Sequence, residues 1–325
     1  MDFNKIIGHQ RVIDNLKKAI EQDQISHSYL FEGEESIGKK LVALAFSKTL
    51  LCKEEGGDPC NKCTSCLKFD TFSHPDFLMI EPEKGLIKVE KIYDLIKDLN
   101  IAPLESKRKV IIIDDSHRMR MESQNALLKT LEEPPSYINI ILISSQANSL
   151  IPTILSRCQL VKFYPVVRED IEELLMTRYD KSLEEARFIS HFTKGSVGRA
   201  ISLSNSQEFF QKREELIGII DSIIKGNSHR IFSSMDFFLD NKDNYEDILD
   251  IILYWFRDLI IYKELGESRL IVNMDKIPLL SSHSFLSLSH INDIIESIVG
   301  TKENIERNVN YQLAMETMLL SIQEV

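Results

Sequence analysis

Apolar positions along the first half of this chain follow two alternating rhythms. Val12, Leu16, Ala19 and Ile20 recur at helical spacing, and Ser28-Tyr29-Leu30-Phe31 then reads as a short buried strand opening into a glycine-containing loop. A helix starting near Lys39 places Leu41, Leu44 and Ala45 on one face, and a further helix is predicted over 86–99. Val110-Ile111-Ile112-Ile113 is a β-branched run that stops at Asp114-Asp115, the pattern of a central parallel strand buried on both faces. Next comes a helix over 123–132, ended by Pro134-Pro135, and another apolar run over 138–143 that stops at Ser144-Ser145. Strands alternating with helices up to about Phe163 predict a doubly wound α/β domain with a parallel sheet.

After Pro165 the strand signal disappears. Helical patterns cover 171–179 and 184–192, Gly195-Ser196 interrupts them, and another helix begins at Val197. Long amphipathic stretches continue from about Asn205, including 248–264 around Trp255 and 304–323. Three domains are therefore expected: an α/β domain over 1–165, a small helical module over 166–204 and an all-helical domain over 205–325. No repeat or low-complexity segment stands out.

Composition narrows the function classes. A 325-residue chain with 43% hydrophobic and 27% charged residues can build such cores, and collagen-like, mucin-like and wholly disordered readings are excluded. Its 39 Lys and Arg stand against 50 Asp and Glu, a net charge of −11, opposite to the basic footprint of a free-standing DNA binder. Contact with nucleic acid is then local or shared with partners. The start of the chain has no basic segment followed by an apolar stretch, and no run approaches the roughly 18 apolar residues that span a bilayer, so a cytoplasmic protein without a membrane partner is expected.

Two clusters carry candidate chemistry. Cys52, Cys60, Cys63 and Cys66 supply four sulfurs within a short span, with Gly56, Gly57 and Pro59 providing the bends to fold them round one ion. Tetrahedral Zn²⁺ is the natural occupant, and with no ligand position left for water it would be structural; unligated reduced thiols are the alternative. Cys158 stands apart and reads as packing. The second cluster is Gly33-Glu34-Glu35-Ser36-Ile37-Gly38-Lys39-Lys40, which follows a strand and opens a helix as a phosphate loop does. Gly33 and Gly38 would let backbone N–H groups cradle a polyphosphate, with Lys39 on the β and γ phosphates. Lys40 stands where the pattern has Ser or Thr and offers no hydroxyl to Mg²⁺. Asp114-Asp115 lies where such ATPases carry Asp-Glu, with Asp115 one methylene short of the group that positions the attacking water. ATP or ADP could enter such a loop, but hydrolysis is not expected; an ordinary glycine turn and an acidic pair that merely ends a strand are the plain alternatives.

The run from Asn125 to Pro135, Asn-Ala-Leu-Leu-Lys-Thr-Leu-Glu-Glu-Pro-Pro, with Thr153-Ile154-Leu155-Ser156-Arg157-Cys158 beyond it, resembles the signature of bacterial clamp-loader AAA+ subunits of DNA polymerase III. The phosphate loop, the cysteine cluster, His74-Pro75-Asp76 and Gly195-Ser196-Val197-Gly198-Arg199-Ala200 extend that resemblance densely to about residue 203, and the helical remainder fits by length and class. It implies an AAA+ phosphate-loop domain with a zinc module at 52–66, a helical lid and a helical collar. It makes Arg157 an arginine finger presented to the ATP of a neighbouring subunit, Arg199 a lid arginine that senses a γ-phosphate, and Ser144 or Ser145 a polar sensor. On the residues alone Arg157 reads more often as a surface residue, while Arg199 reads equally as a helix-surface arginine and the serines as the end of a strand. ATP-hydrolysing gamma/tau members have an intact Gly-Lys-Ser/Thr, an Asp-Glu pair, an Asn-Arg-Gly turn after His-Pro-Asp and a longer carboxyl region. Lys40, Asp115, the stretch 77–89 and the end at Val325 instead resemble the delta-prime branch. That branch implies a ring partnership with gamma/tau and delta subunits, action on the sliding clamp and primed DNA, and membership of a DNA-directed DNA polymerase holoenzyme, a nucleotidyltransferase, without ATPase activity of its own. A gamma/tau-type ATP-hydrolysing motor is the second reading. A zinc-dependent nucleic-acid binder is the third, weakened by the acidic charge and the few basic residues flanking the cysteines.

Overall fold

Every residue of β3 (Lys109–Ile113) is buried, as a strand covered on both faces must be. It lies inside a five-stranded, all-parallel sheet of order β2-β3-β4-β1-β5 in a computed structural model that describes residues 2–54, 56–226, 231 and 233–323. The other strands are β1 (Ser28–Glu32), β2 (Phe77–Ile80), β4 (Ile138–Ser144) and β5 (Gln159–Lys162). In the register Leu30 lies opposite Leu142 and Leu160, and Ile112 opposite Met79 and Ile141.

Alternation along the strands sorts the apolar side chains into two layers. Phe31, Ile112, Ile141 and Ile143 pack with Ile13 and Leu16 of α1 (Gln10–Glu21) and with Val42 and Phe46 of α2 (Lys39–Leu51). Leu30, Ile111, Ile140 and Leu142 pack with Ile92 and Leu95 of α4 (Val89–Leu99) and with Leu127 and Leu131 of α5 (Met121–Glu132). Each such aliphatic side chain contributes about 1.5–3 kcal/mol on burial. Helices on both faces of a sheet in this order, with the glycine loop after β1, form the α/β architecture of AAA+ domains, as the sequence predicts.

The residues divide into two compact units, one comprising everything up to Ile171 together with Gly195–Arg199, the other Glu172–Lys194 with Ala200 onward. The stretch 166–204, read from sequence as one helical module, is thus shared: part of α7 (Arg168–Arg178) and all of α8 (Leu183–Phe192) group with the helical remainder, while the first residues of α9 (Val197–Ser204) group with the sheet. α8 opens on a capping box in which Ser182 and Glu185 satisfy each other's N–H groups. In the second unit, the helix Tyr245–Leu265 buries Trp255, Phe256 and Leu259 and packs with the helices Gln207–Ile224 and Leu288–Glu306. Buried charge there is paired: Arg213 makes a two-pronged ion pair with Asp275 at 2.7 and 2.8 Å, and Asp258 accepts the N–H groups of Val272 and Asn273. Among the described residues no helix is long and apolar enough to cross a membrane.

Several element boundaries differ from expectation. The helix predicted over 86–99 starts at Val89, because Glu83 and Leu86 exchange backbone hydrogen bonds across a bend with Gly85 at φ 81°. Of the three residues that share one predicted face of α2, Leu44 and Ala45 are buried but Leu41 is 50% exposed. The predicted run over 304–323 is broken between Glu306 and Tyr311, with Asn308 in the left-handed region at φ 62°. β2 and β5 escaped the sequence reading; both are four-residue edge strands, and β5 is largely exposed with no sustained apolar pattern, whereas β2 is wholly apolar, Phe-Leu-Met-Ile, and its signal was passed over.

Candidate phosphate-loop site and cysteine cluster

β4 lies between β1 and β3, so the ends of these strands put the glycine loop, Ser144-Ser145 and Asp114-Asp115 side by side at the carboxyl edge of the sheet, where ligands of open α/β sheets bind. The Gly33 N–H donates to the Ser144 carbonyl at 3.2 Å. A Cβ on Gly33 would lie 2.6 Å from the Phe163 carbonyl oxygen, so close approach demands glycine here. Ile37 is wholly buried beneath the loop, and His9 Nε2 donates to its carbonyl at 2.7 Å. Burial pushes the His9 pKa below its ordinary value, which favours the neutral ring. Gly38 caps α2 at φ 111°. From the other side the Gly198 N–H donates to the Ser36 carbonyl at 2.8 Å, and Ser196 Oγ donates to the Glu35 carbonyl at 3.3 Å. The Gly195–Arg199 segment therefore fastens onto the loop, and half-buried Arg199 is its last residue.

Two lysines govern the electrostatics. Lys39 is only 6% exposed, and its ammonium donates to the carbonyls of Gly33 (2.7 Å) and Glu34 (2.5 Å) in its own loop. Burial lowers its pKa, against the attraction of Asp115, Asp114, Glu35 and Glu34. Lys40 Nζ sits 3.0 Å from Asp114 Oδ2 and also pairs with Glu81, just past β2. Partial burial pulls Lys40 down, but its hydrogen bonds with Glu81 and Asp114 outweigh this and its pKa lies above the ordinary value. Asp115 is held at φ 46°, ψ 46°, with its carboxylate 3.3 Å from Arg118 Nε. The structure thus gathers Gly33, Gly38, Lys39, Lys40, Asp114 and Asp115 at one edge, with the half-buried Ser145 beside them. A magnesium-bound nucleotide does not fit this set: the hydroxyl ligand is missing, and an ammonium already holds the acidic residue at the end of β3.

Arg157 lies elsewhere. It follows α6 (Pro152–Leu155), its main-chain carbonyl accepts from Ser28 Oγ at 2.8 Å, and Ser28 begins β1. Arg157 is therefore at the amino edge of the sheet, a five-residue strand of about 3.3 Å per residue away from its own phosphate loop. Its guanidinium bonds the Thr153 carbonyl at 2.9 Å and pairs with Glu132 at 2.6 Å, one third of the side chain remaining exposed.

The four sulfurs of Cys52, Cys60, Cys63 and Cys66 all lie within 4.8 Å of one another. Cys52 to Cys63 is 4.0 Å and Cys60 to Cys66 is 3.9 Å, far beyond a disulfide bond and close to the roughly 3.8 Å edge of a tetrahedron with about 2.3 Å metal–sulfur bonds. N–H groups of Cys60, Cys63 and Cys66 each approach a preceding sulfur at 3.4 Å, an arrangement that stabilises thiolates. The cluster can hold a metal ion. Cys158, half-buried among apolar side chains, has its thiol pushed up to about 11 by burial, consistent with packing.

Supporting residues that sequence reasoning missed tie these parts together. Lys48, wholly buried on α2, donates to Asn61 at 2.6 Å and to both oxygens of Asp70, binding the cysteine module to that helix. In His74-Pro75-Asp76 the imidazole Nδ1 accepts the Asp76 N–H at 3.1 Å while Nε2 meets Ser65 Oγ at 2.9 Å, and the carboxylate collects the N–H groups of Leu104, Glu105 and Ser106. That motif is a structural clasp. No sequence signal marked Glu81 or Lys48, whose roles depend on contacts across many residues.

The signature of the family described as DNA polymerase III, delta subunit, matches residues 8–167, and that of its C-terminal region matches 207–324. The chain is 32% identical to the DNA polymerase III subunit delta-prime of Bacillus subtilis over 97% of its own length and 96% of that protein. It is 28% identical to the tau subunit of the same organism, over 80% of its own length but only 50% of that protein. A solved structure of a gamma subunit-related protein from Thermotoga maritima shares 21% identity, covering 96% of this chain and 98% of that one at a TM-score of 0.45.

Proposed function

The chain belongs to the DNA polymerase III delta-prime family, and from that membership we propose that it is a non-hydrolysing clamp-loader subunit that acts on ATP held by a neighbour. In this reading it joins gamma/tau and delta subunits in a ring that loads the sliding clamp onto primed DNA in the cytoplasm. Arg157 is the catalytic contribution. The observation that carries the proposal is its place at the amino edge of the sheet, a strand's length from this chain's own loop, so its planar guanidinium can meet a γ-phosphate only on another subunit. The chain's own site lacks the hydroxyl and the second long carboxylate that hydrolysis uses, and both lysines are engaged within the protein. Its backbone cradle can receive phosphate without turning it over, and Ser145 and Arg199 flank that cradle.

The four cysteines hold one structural zinc ion in this proposal. Four sulfurs complete a tetrahedral shell and leave no position for water, so the ion contributes to folding and not to reaction.

The decisive measurement is the DNA-stimulated ATPase and clamp loading of the reassembled complex carrying Arg157→Ala. The variant should fold and join the ring. An arginine supplied in trans is worth on the order of 10³-fold in phosphoryl transfer, and as one finger among several it should lower the ensemble rate by a smaller factor. Arg157→Lys should rescue poorly, because a point charge cannot engage two phosphate oxygens at once. Rates equal to those of the unmodified complex would overturn the trans-acting role. Steady-state hydrolysis by the isolated chain would favour the motor reading instead.

A further inference from the structure

We propose that Lys40 is a built-in cation that takes the place of the divalent metal ion in this phosphate loop, so that the site excludes Mg²⁺. The inference rests on reading the loop as a phosphate loop and specifies what replaced its metal. In an intact site the residue after the loop lysine gives a hydroxyl to Mg²⁺, and the aspartate at the neighbouring strand end holds the same ion. Here the side chain at the first position carries the charge itself. Its ammonium lies 3.0 Å from Asp114 Oδ2 and pairs with Glu81, bridging the ends of β3 and β2.

Two features make this a built arrangement and not a stray surface pair. Asp114 retains only 16% side-chain exposure, so its charge is poorly solvated and needs a counter-ion. Lys39, the other cation at the loop, is committed to the Gly33 and Glu34 carbonyls. Lys40 is therefore the cation that neutralises Asp114 and Glu81, and a divalent ion entering there would meet an ammonium tethered by the backbone. A polyphosphate entering this loop would do so as the metal-free anion, drawn by Lys39 and the helix N-terminus.

Two variants of the full-length chain test this. Lys40→Met, at a half-exposed position, keeps the bulk and removes the charge. Its melting temperature should fall by about 2 °C or more and recover in millimolar MgCl₂ at matched ionic strength, while the unmodified protein shows no response. Lys40→Thr supplies the missing hydroxyl, and with a fluorescent ADP analogue as probe, Mg²⁺ should tighten its binding by at least about tenfold relative to EDTA. The unmodified chain should show no tightening by Mg²⁺. The proposal is overturned if Mg²⁺ stabilises the unmodified protein or tightens its hold on the probe. It is equally overturned if Lys40→Met melts unchanged without a cation response, or if Lys40→Thr gains no Mg²⁺ dependence. These readouts use the chain alone, so their failure is separable from failure of the Arg157 reading, which is measured in the assembled complex.

Discussion

Asp76 is wholly buried, yet it accepts main-chain N–H groups from Leu104 at 2.6 Å, Glu105 at 2.9 Å and Ser106 at 2.8 Å. Burial pushes its pKa up, but those donors outweigh it and hold the carboxyl below its ordinary value. Asp76→Ala strands three donors, and urea unfolding should report a loss on the order of 3 kcal/mol; a loss below about 1 kcal/mol would show that the clasp carries little. The adjacent His74 is pushed below 6.5 by burial, and its Nδ1 must be bare to accept the Asp76 N–H. Between that depressed value and 6.5 the unfolded chain binds more protons than the folded one, so stability falls as pH drops through this window. His74→Asn offers an oxygen to the same N–H and cannot titrate, and it should flatten part of the decline between pH 7 and 5. The remainder belongs to His9, His117 and His283, which burial lowers in the same direction. An unaltered slope in His74→Asn would remove His74 from this account. The pairing of His-Pro-Asp with a loop some thirty residues further along was invisible in the chain, because nothing local records it.

At the scale of elements, α2 is the shaft that joins the two chemical clusters. Lys39 and Lys40 begin it, buried Lys48 sits along it, and Cys52 caps its end. The loop lysines and the cysteine set were each legible in the sequence, but the fastening through Asp70 and Asn61 required the fold. Zinc analysis of reduced protein should find one ion per chain, and Cys63→Ser should lose it. Because structural zinc adds directly to folding free energy, a metal-free native protein with an unchanged Cys63→Ser melting temperature would dismiss the site. Lys48→Met should retain the metal stoichiometry but release it faster to a chelator, since it loosens the module's attachment without touching a sulfur. The strands show the same division. β3 and β4 are central, buried on both faces and legible as apolar runs, whereas the edge strand β5 is exposed and carries too little pattern to be read; β2, also at an edge, is four apolar residues whose signal was passed over.

Across the whole molecule, the cysteine cluster lies in the first compact unit and the long helices in the second. Chelation should therefore lower the melting transition of the sheet-containing unit and leave that of the helical unit unmoved, as read by calorimetry of the full chain; a common shift would show that the two unfold together. In the reassembled complex Lys39→Ala should leave clamp loading nearly intact, because the loop it serves is not expected to turn over nucleotide. A large loss would restore catalytic weight to this site.

The order of residues alone was sufficient for the α/β class, the helical remainder, the cysteine set and the two departures, Lys40 and Asp115, from the intact phosphate-loop pattern. These are local facts: apolar period, residue spacing and side-chain chemistry within a short window. Folding settled how 166–204 is shared, that Lys40 meets Asp114 and Glu81, and that Arg157 stands at the sheet edge opposite its own loop. Each of these depends on strand order, and a parallel sheet sets its neighbours by crossovers through distant segments, which no local pattern encodes.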